Sequence, residues 1–197
     1  MFHDFAAGNR QAIHPNIRGS VYSIVLQNGG EIEYDIVFNE YRTAKDADER
    51  NTALRSLGRA KGEKLINRTL SLPLSEEVKS QDVYIPIAGL RNDAEGIRAL
   101  WSWMTANWEE LQKKCPPGLT MLGSIVQICT SSFTTEEQLK EVRAFFDARS
   151  TKGFDRALEQ SSDSIRAKAS WLARDRGDVE GWLGEHGYLG KGAEGKL

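Results

Sequence analysis

The sequence is short of the features that announce most chemistries. No run of apolar residues approaches the ~18 that a membrane-spanning helix needs, so no membrane protein is read from it. Two cysteines, Cys115 and Cys129, are too few for a disulfide framework or a zinc cage, and both are read as reduced thiols. The three histidines, His3, His14 and His186, never stand four residues apart, so the His-Glu-x-x-His zinc arrangement is absent. No P-loop of the G-x-x-x-x-G-K-[ST] kind occurs, and no G-x-S-x-G nucleophile turn. The opening MFHDFAAGNR has no basic stretch followed by a long apolar run, so no secretory signal is expected. A net charge of −2 leaves no broad electrostatic grip on nucleic acid. Alternating strand patterns are missing too: Val83-Tyr84-Ile85 is the best of them, and Pro86 weakens it.

Helical periodicity, by contrast, runs through most of the chain. Ile97, Leu100, Trp101, Met104, Trp108 and Leu111 succeed one another at steps of three or four, which predicts one amphipathic helix. Asn92 or Asp93 caps its start, and Pro116-Pro117-Gly118 stops the helical pattern beyond it. Thr134-Thr135-Glu136-Glu137 reads as a capping box between Thr134 and Glu137, with Leu139, Val142 and Phe146 on the buried side. Leu158, Ile165 and Leu172 recur every seven residues, and Val179, Trp182 and Leu183 form a short last stripe ended by Gly187. In the first half, Pro15 suits the first position of a helix carrying Ile17, Val21, Ile24 and Val25, broken by Asn28-Gly29-Gly30. Tyr34, Val37, Phe38 and Tyr41 stripe the next helix. Ala53, Leu54 and Leu57, then Leu65, Ile66 and Leu70, mark two more, stopped by Pro73. Val83, Tyr84, Ile87 and Leu90 share a face of a helix that Pro86 kinks or shortens. Phe2, Phe5 and Ala6 look like the last turns of a helix closed by Gly8.

About ten helices joined by short polar turns favour antiparallel neighbours. The fold class expected is all-α, an α-solenoid, or superhelix, of antiparallel HEAT- or armadillo-like helix pairs. Residues 1–189 form one domain, incomplete at its N-terminal side, and the Gly-rich residues 190–197 a flexible tail.

Few residues stand out chemically. Trp101 and Trp108 share a face and belong to the core, while Trp103 points elsewhere. Most carboxylates, including Asp46, Asp48, Glu76, Glu77, Glu136 and Glu137, lie where helices begin and complement the dipole. His14 precedes a helix and His186 lies near the end of one. Gly58-Arg59-Ala60-Lys61-Gly62 is read as a helix-to-helix turn. Arg59 and Arg91, both near helix ends, are the more interesting cations. Each could hold a carboxylate with its two-pronged guanidinium, or be an ordinary solvated or paired surface arginine.

Several blocks carry a resemblance. AIHPNIRGSVYSIVLQNGG, DERNTALRSLGRAK, LSEEVKSQDVYIPIAGLRN, LWSWMTANWEEL, PPGLTMLGSIVQICTSSFTTEEQLKEVRAFF and IRAKASWLARDRGDVEGWL stand in that order. Together, from Gly8 to Leu189, they resemble the C-terminal helical domain of zinc aminopeptidases of the puromycin-sensitive and endoplasmic-reticulum type, with fungal cytosolic forms most similar. The resemblance implies a superhelix that closes as a bowl over a thermolysin-like catalytic domain bearing His-Glu-x-x-His and Gly-Ala-Met-Glu-Asn. This sequence has neither motif. It therefore implies no catalytic residue, metal ligand or cofactor in this chain, the zinc belonging to the absent catalytic domain. It implies no hydrolysis by the chain alone, a catalytic domain normally in cis and a peptide substrate as partners, and a cytoplasmic location. No nucleic acid or membrane is expected. Arg91 lies in a block where some relatives place an arginine facing the peptide cavity, and Arg59 near another such position, so both are candidate peptide-binding residues. The alternative is a free-standing helical adaptor that binds a protein or peptide in its concave groove.

Overall fold

The computed structural model describes residues 1–115 and 120–188. Among them are eleven α-helices, four short 3₁₀ turns and no strand. The expected stop at Pro116-Pro117-Gly118 and the tail at 190–197 lie outside the described residues.

α1 (Phe2–Ala6) buries Phe2 and Phe5, and Gly8, with φ +102°, turns the chain out of it. Pro15 starts a 3₁₀ turn, Pro15–Ile17, whose Asn16 amide donates to His14 Nδ1 at 3.3 Å. That turn runs into α2 (Arg18–Asn28). The buried face of α2 differs from the expected stripe: Arg18, Tyr22 and Leu26 are buried, while Ile17 and Ile24 are exposed. The Tyr22 ring packs against Phe5, which draws that side of the helix inward. α3 (Glu31–Thr43), α4 (Ala47–Leu57) and α5 (Glu63–Ser71) bury the predicted Tyr34, Val37, Phe38, Leu54, Leu57, Ile66 and Leu70. Asp46 caps α4, accepting from the amides of Asp48 and Glu49. Pro73 ends this run in the 3₁₀ turn Leu72–Leu74. Pro86 lies in the first turn of the short α6 (Tyr84–Leu90), where its missing N–H has no partner to lose.

Farther along, the structure corrects the expected helix boundaries. The stripe from Ile97 to Leu111 is two helices, α7 (Ala94–Ala106), capped by Asp93, and α8 (Trp108–Lys114). Between them Asn107 leaves helical angles (φ −111°, ψ 18°), and its backbone N–H and its side-chain amide both donate to the Trp103 carbonyl, at 3.1 and 2.8 Å. α9 (Met121–Thr130) and α10 (Glu136–Asp147) come next. The capping box sits one residue later than expected, at Thr135 and Gln138, because Gln138 Oε1 accepts from the amides of both Thr134 and Thr135. The last two stripes are one helix, α11 (Asp155–Glu185), despite its internal glycines. Only its first half is packed, through Ser161, Ile165 and Ala169, and Trp171, Val179 and Trp182 are exposed. Glu76 and Glu77 begin no helix, and Glu77 instead pairs with Arg42 of α3.

The helices stack in two rows. One runs α2, α4, α6, α9, α11, each packed on the next. The other runs α3, α5, α7, α10. There Tyr34 Oη and Thr69 Oγ1 share a hydrogen bond of 3.0 Å between α3 and α5, and Trp101 Nε1 donates to Glu141 at 2.7 Å between α7 and α10. The pairs α3–α4, α5–α6, α7–α9 and α10–α11 join the rows. Stacked helix pairs of this kind are what a solenoid requires. Two apolar clusters fill the space between them. Tyr84, at the start of α6, packs against both. In the C-terminal cluster Trp108 meets Phe145, Phe146 and Phe154 edge-on, with ring centroids 5.2–5.8 Å apart. Its indole N–H has no hydrogen-bond partner among the described residues.

Burial pushes the Tyr22 and Tyr34 hydroxyls up to about 12 from the ordinary 10.0. The folded state thus holds these protons after the unfolded chain has released them. Their contribution to stability is complete below about pH 10 and is lost as the pH rises toward 12. The urea midpoint is expected to fall over that window, and Tyr34→Phe is expected to flatten the fall. Trp108→Ala is expected to cost about 3–5 kcal/mol in the same measurement. Trp108→Phe should cost much less, since it also removes the orphan donor, and Trp182→Ala should stay within about 0.5 kcal/mol.

Candidate functional site

Arg55 lies in the last turn of α4, Arg59 directly follows Gly58 at the end of that helix, and Arg91 caps the end of α6. Basic side chains at helix C-termini face the negative end of the dipole, which is the local reason for arginine here. The two helix ends meet because both carry glycine. A Cβ on Gly58 would lie 2.6 Å from the Gly89 Cα, and one on Gly89 would lie 2.5 Å from the Arg55 carbonyl oxygen. α2 closes in from the other side, where a Cβ on Gly19 would come within 3.2 Å of the Thr52 methyl.

These contacts leave a recess of about 320 Å³ across α2, α4 and α6, on the surface of one row. Arg55, Arg59 and Arg91 all line it, with Ser23, Ser56 and Asn92. Ser56 Oγ donates to the Thr52 carbonyl at 2.7 Å, and Asn92 Nδ2 donates to the Gly89 carbonyl at 2.9 Å. No carboxylate lines the recess. The three guanidiniums make no ion pair or side-chain hydrogen bond with any described residue. Arg59 is half-buried, and the other two are exposed. The structure thus brings Arg59 and Arg91 together and adds Arg55, which the sequence reading missed. The signal was there: Arg55 and Arg59 stand four residues apart, the spacing of one helical face.

Other arginines nearby are spent on structure. Arg18 is buried, donates to the carbonyls of Ile13 at 3.3 Å and Arg10 at 3.2 Å, and pairs with Glu49. Arg10 bridges Glu40 at 3.0 Å and Glu49 at 2.8 Å. Arg42 grips Glu77 with two bonds of 2.6 Å, which hold the Glu77 carboxyl below the usual carboxylate range. Cys115 and Cys129 are buried and unbridged, and burial pushes the Cys129 thiol up, away from nucleophilic character. Among the described residues no three His, Cys, Asp or Glu side chains gather in a way that could hold a metal ion. No described helix is long and apolar enough to cross a membrane.

The described residues form an all-helical stack with a recess lined by three arginines. Residues 1–167 match the ERAP1-like C-terminal domain, and the chain belongs to that family. It is 46% identical over 188 residues to "Aminopeptidase 2, mitochondrial" of Saccharomyces cerevisiae, covering 95% of this chain and 20% of that protein. The "Alanine/arginine aminopeptidase" of the same yeast is 42% identical, with 95% of this chain and 22% of the relative covered. Human "Aminopeptidase N" is 29% identical, with 90% and 19% covered. The chain spans about a fifth of the length of these curated relatives.

The two kinds of arginine should respond differently to mutation. Glu49→Ala strips the buried Arg18 of its counter-charge and is expected to cost about 3 kcal/mol or more in a urea titration followed by circular dichroism. Arg55→Ala, which removes no partner, should change stability by less than about 0.5 kcal/mol.

Proposed function

We propose that this chain is part of the wall of an aminopeptidase peptide chamber, closing over a catalytic domain and helping to hold the distal end of the peptide. The observation that carries this reading is the gathering of unpaired Arg59 and Arg91, with Arg55, in one recess of a domain that belongs to an aminopeptidase-associated family. A guanidinium free of acidic partners is prepared to take a carboxylate bidentately, and the end of every peptide supplies one. Zinc and the groups that cleave the amide bond belong, on this reading, to the catalytic domain, normally in cis. The chain alone hydrolyses nothing. Its working location is the cytoplasm, and neither nucleic acid nor membrane is a partner.

A second reading, the free-standing helical adaptor, draws on the distal half of α11, where Trp171, Val179 and Trp182 are exposed. Exposed apolar patches of this kind mark interaction surfaces. Affinity capture followed by size exclusion separates the two: a stoichiometric partner other than an aminopeptidase favours the adaptor.

The purified chain with added zinc is expected to show no turnover of aminoacyl-coumarin substrates, and turnover that survives contaminant controls would overturn the assignment. Fluorescence polarisation with a labelled peptide should show weaker binding when the C-terminal carboxylate is amidated. Arg59→Ala combined with Arg91→Ala should weaken the free-acid peptide about ten-fold, the scale of one charge-assisted contact.

A further inference from the structure

We infer that the recess selects peptides whose C-terminal residue is itself acidic, aspartate or glutamate, over peptides ending in a neutral side chain. The inference rests on the proposed role of Arg59 and Arg91 and goes beyond it through Arg55. One α-carboxylate carries a single negative charge. The recess carries three guanidiniums and no acid among its lining residues. The carboxyl ends of α4 and α6, which terminate at the recess, contribute about −0.5 each by their aligned peptide dipoles. About two positive charges are left over, which is the charge of a terminal aspartate or glutamate with its two carboxylates. Arg59 and Arg91 keep the α-carboxylate, and Arg55 supplies the charge for the second.

The lining points the same way. No apolar side chain larger than that of Ala88 borders the recess, and the backbone of Gly19 and Gly89 forms part of its wall. A leucine or phenylalanine at the peptide end would find little apolar surface to bury against there, and burial is what such a side chain gains from binding. The Ser23 hydroxyl and the second amide hydrogen of Asn92 instead offer hydrogen bonds beside the cations. A concave, polar, cation-lined site favours the residue with the most negative charge per volume.

The test uses the whole 197-residue chain and N-terminally labelled decapeptides of one sequence, ending in Glu, in Gln, or in Glu with an amidated α-carboxyl group. Binding is read by fluorescence polarisation in about 50 mM salt, where charge pairs are least screened. The Glu peptide is expected to bind about three- to ten-fold more tightly than the Gln peptide. Arg55→Gln, at an exposed side chain with no partner to lose, should abolish that ratio while the preference for free acid over amide persists. Arg98→Gln, an exposed arginine outside the recess, should leave the ratio intact. Equal affinity for the Glu and Gln peptides, with free acid still preferred over amide, would overturn this inference alone. Equal affinity for acid and amide, or no binding of any peptide, would overturn the peptide-anchoring reading together with it.

Discussion

The contact between Gly58 and Gly89 sets the geometry on which the candidate site depends. Backbone meets backbone there, and a single methyl on either residue would stand within 2.6 Å of atoms that cannot move aside without shifting a helix. Because the approach is so close, the ends of α4 and α6 are held side by side, and the chain leaves both helices at one place. Arg59 and Arg91 are the residues that emerge. Their proximity is thus a consequence of two glycines far apart in the sequence, and neither arginine is placed by a flexible loop. A recess built on helix ends is preorganised, so little ordering is left to be done when a ligand arrives.

Three like charges in one recess ought to repel, and the fold tempers the repulsion by two means. The helix carboxyl ends contribute partial negative charge beneath the guanidiniums. Water reaches the exposed Arg55 and Arg91 and screens the remainder. Charges arranged this way cost little stability, while staying available to an incoming anion. The buried Arg18 shows the opposite solution: shut away from water, it needs Glu49 and two carbonyls to be tolerated at all.

How much of this is legible in the sequence depends on the kind of feature. The all-α class comes from the apolar periods, and most buried faces agree with them, because a helical stripe has one way to be buried. Helix boundaries are harder. The stripe from Ile97 to Leu111 continues across Asn107, so the break, at a residue whose backbone leaves helical angles, is invisible to periodicity. Gly177, Gly181 and Gly184 weaken a helix, yet three glycines among 31 residues are outweighed. The face of α2 is misleading because Arg18, a charged residue, is buried with Tyr22 and Leu26. At the recess, Arg59 and Arg91 stand out for their positions at helix ends. That they share one recess is not readable, since the joining of α4 and α6 depends on a glycine pair whose closeness no pattern announces. Arg55, four residues before Arg59, is legible from that spacing.

The arginines are unevenly paired along the chain. Up to Arg68, the residues Arg10, Arg18, Arg42, Arg50 and Arg68 each bond an acid or a backbone carbonyl. Among the described residues Arg55 and Arg59 do not, although carboxylates outnumber bases in the sequence, 28 to 26. The stretch up to Arg68 thus pairs its other arginines and leaves these two without a partner among the described residues. Farther along, the exposed Arg98, Arg143 and Arg156 stand singly on α7, α10 and α11. At the recess, two helix ends brought together by glycine present three guanidiniums at once. The ion pairing they lack among the described residues is what, on the proposed reading, a peptide terminus supplies.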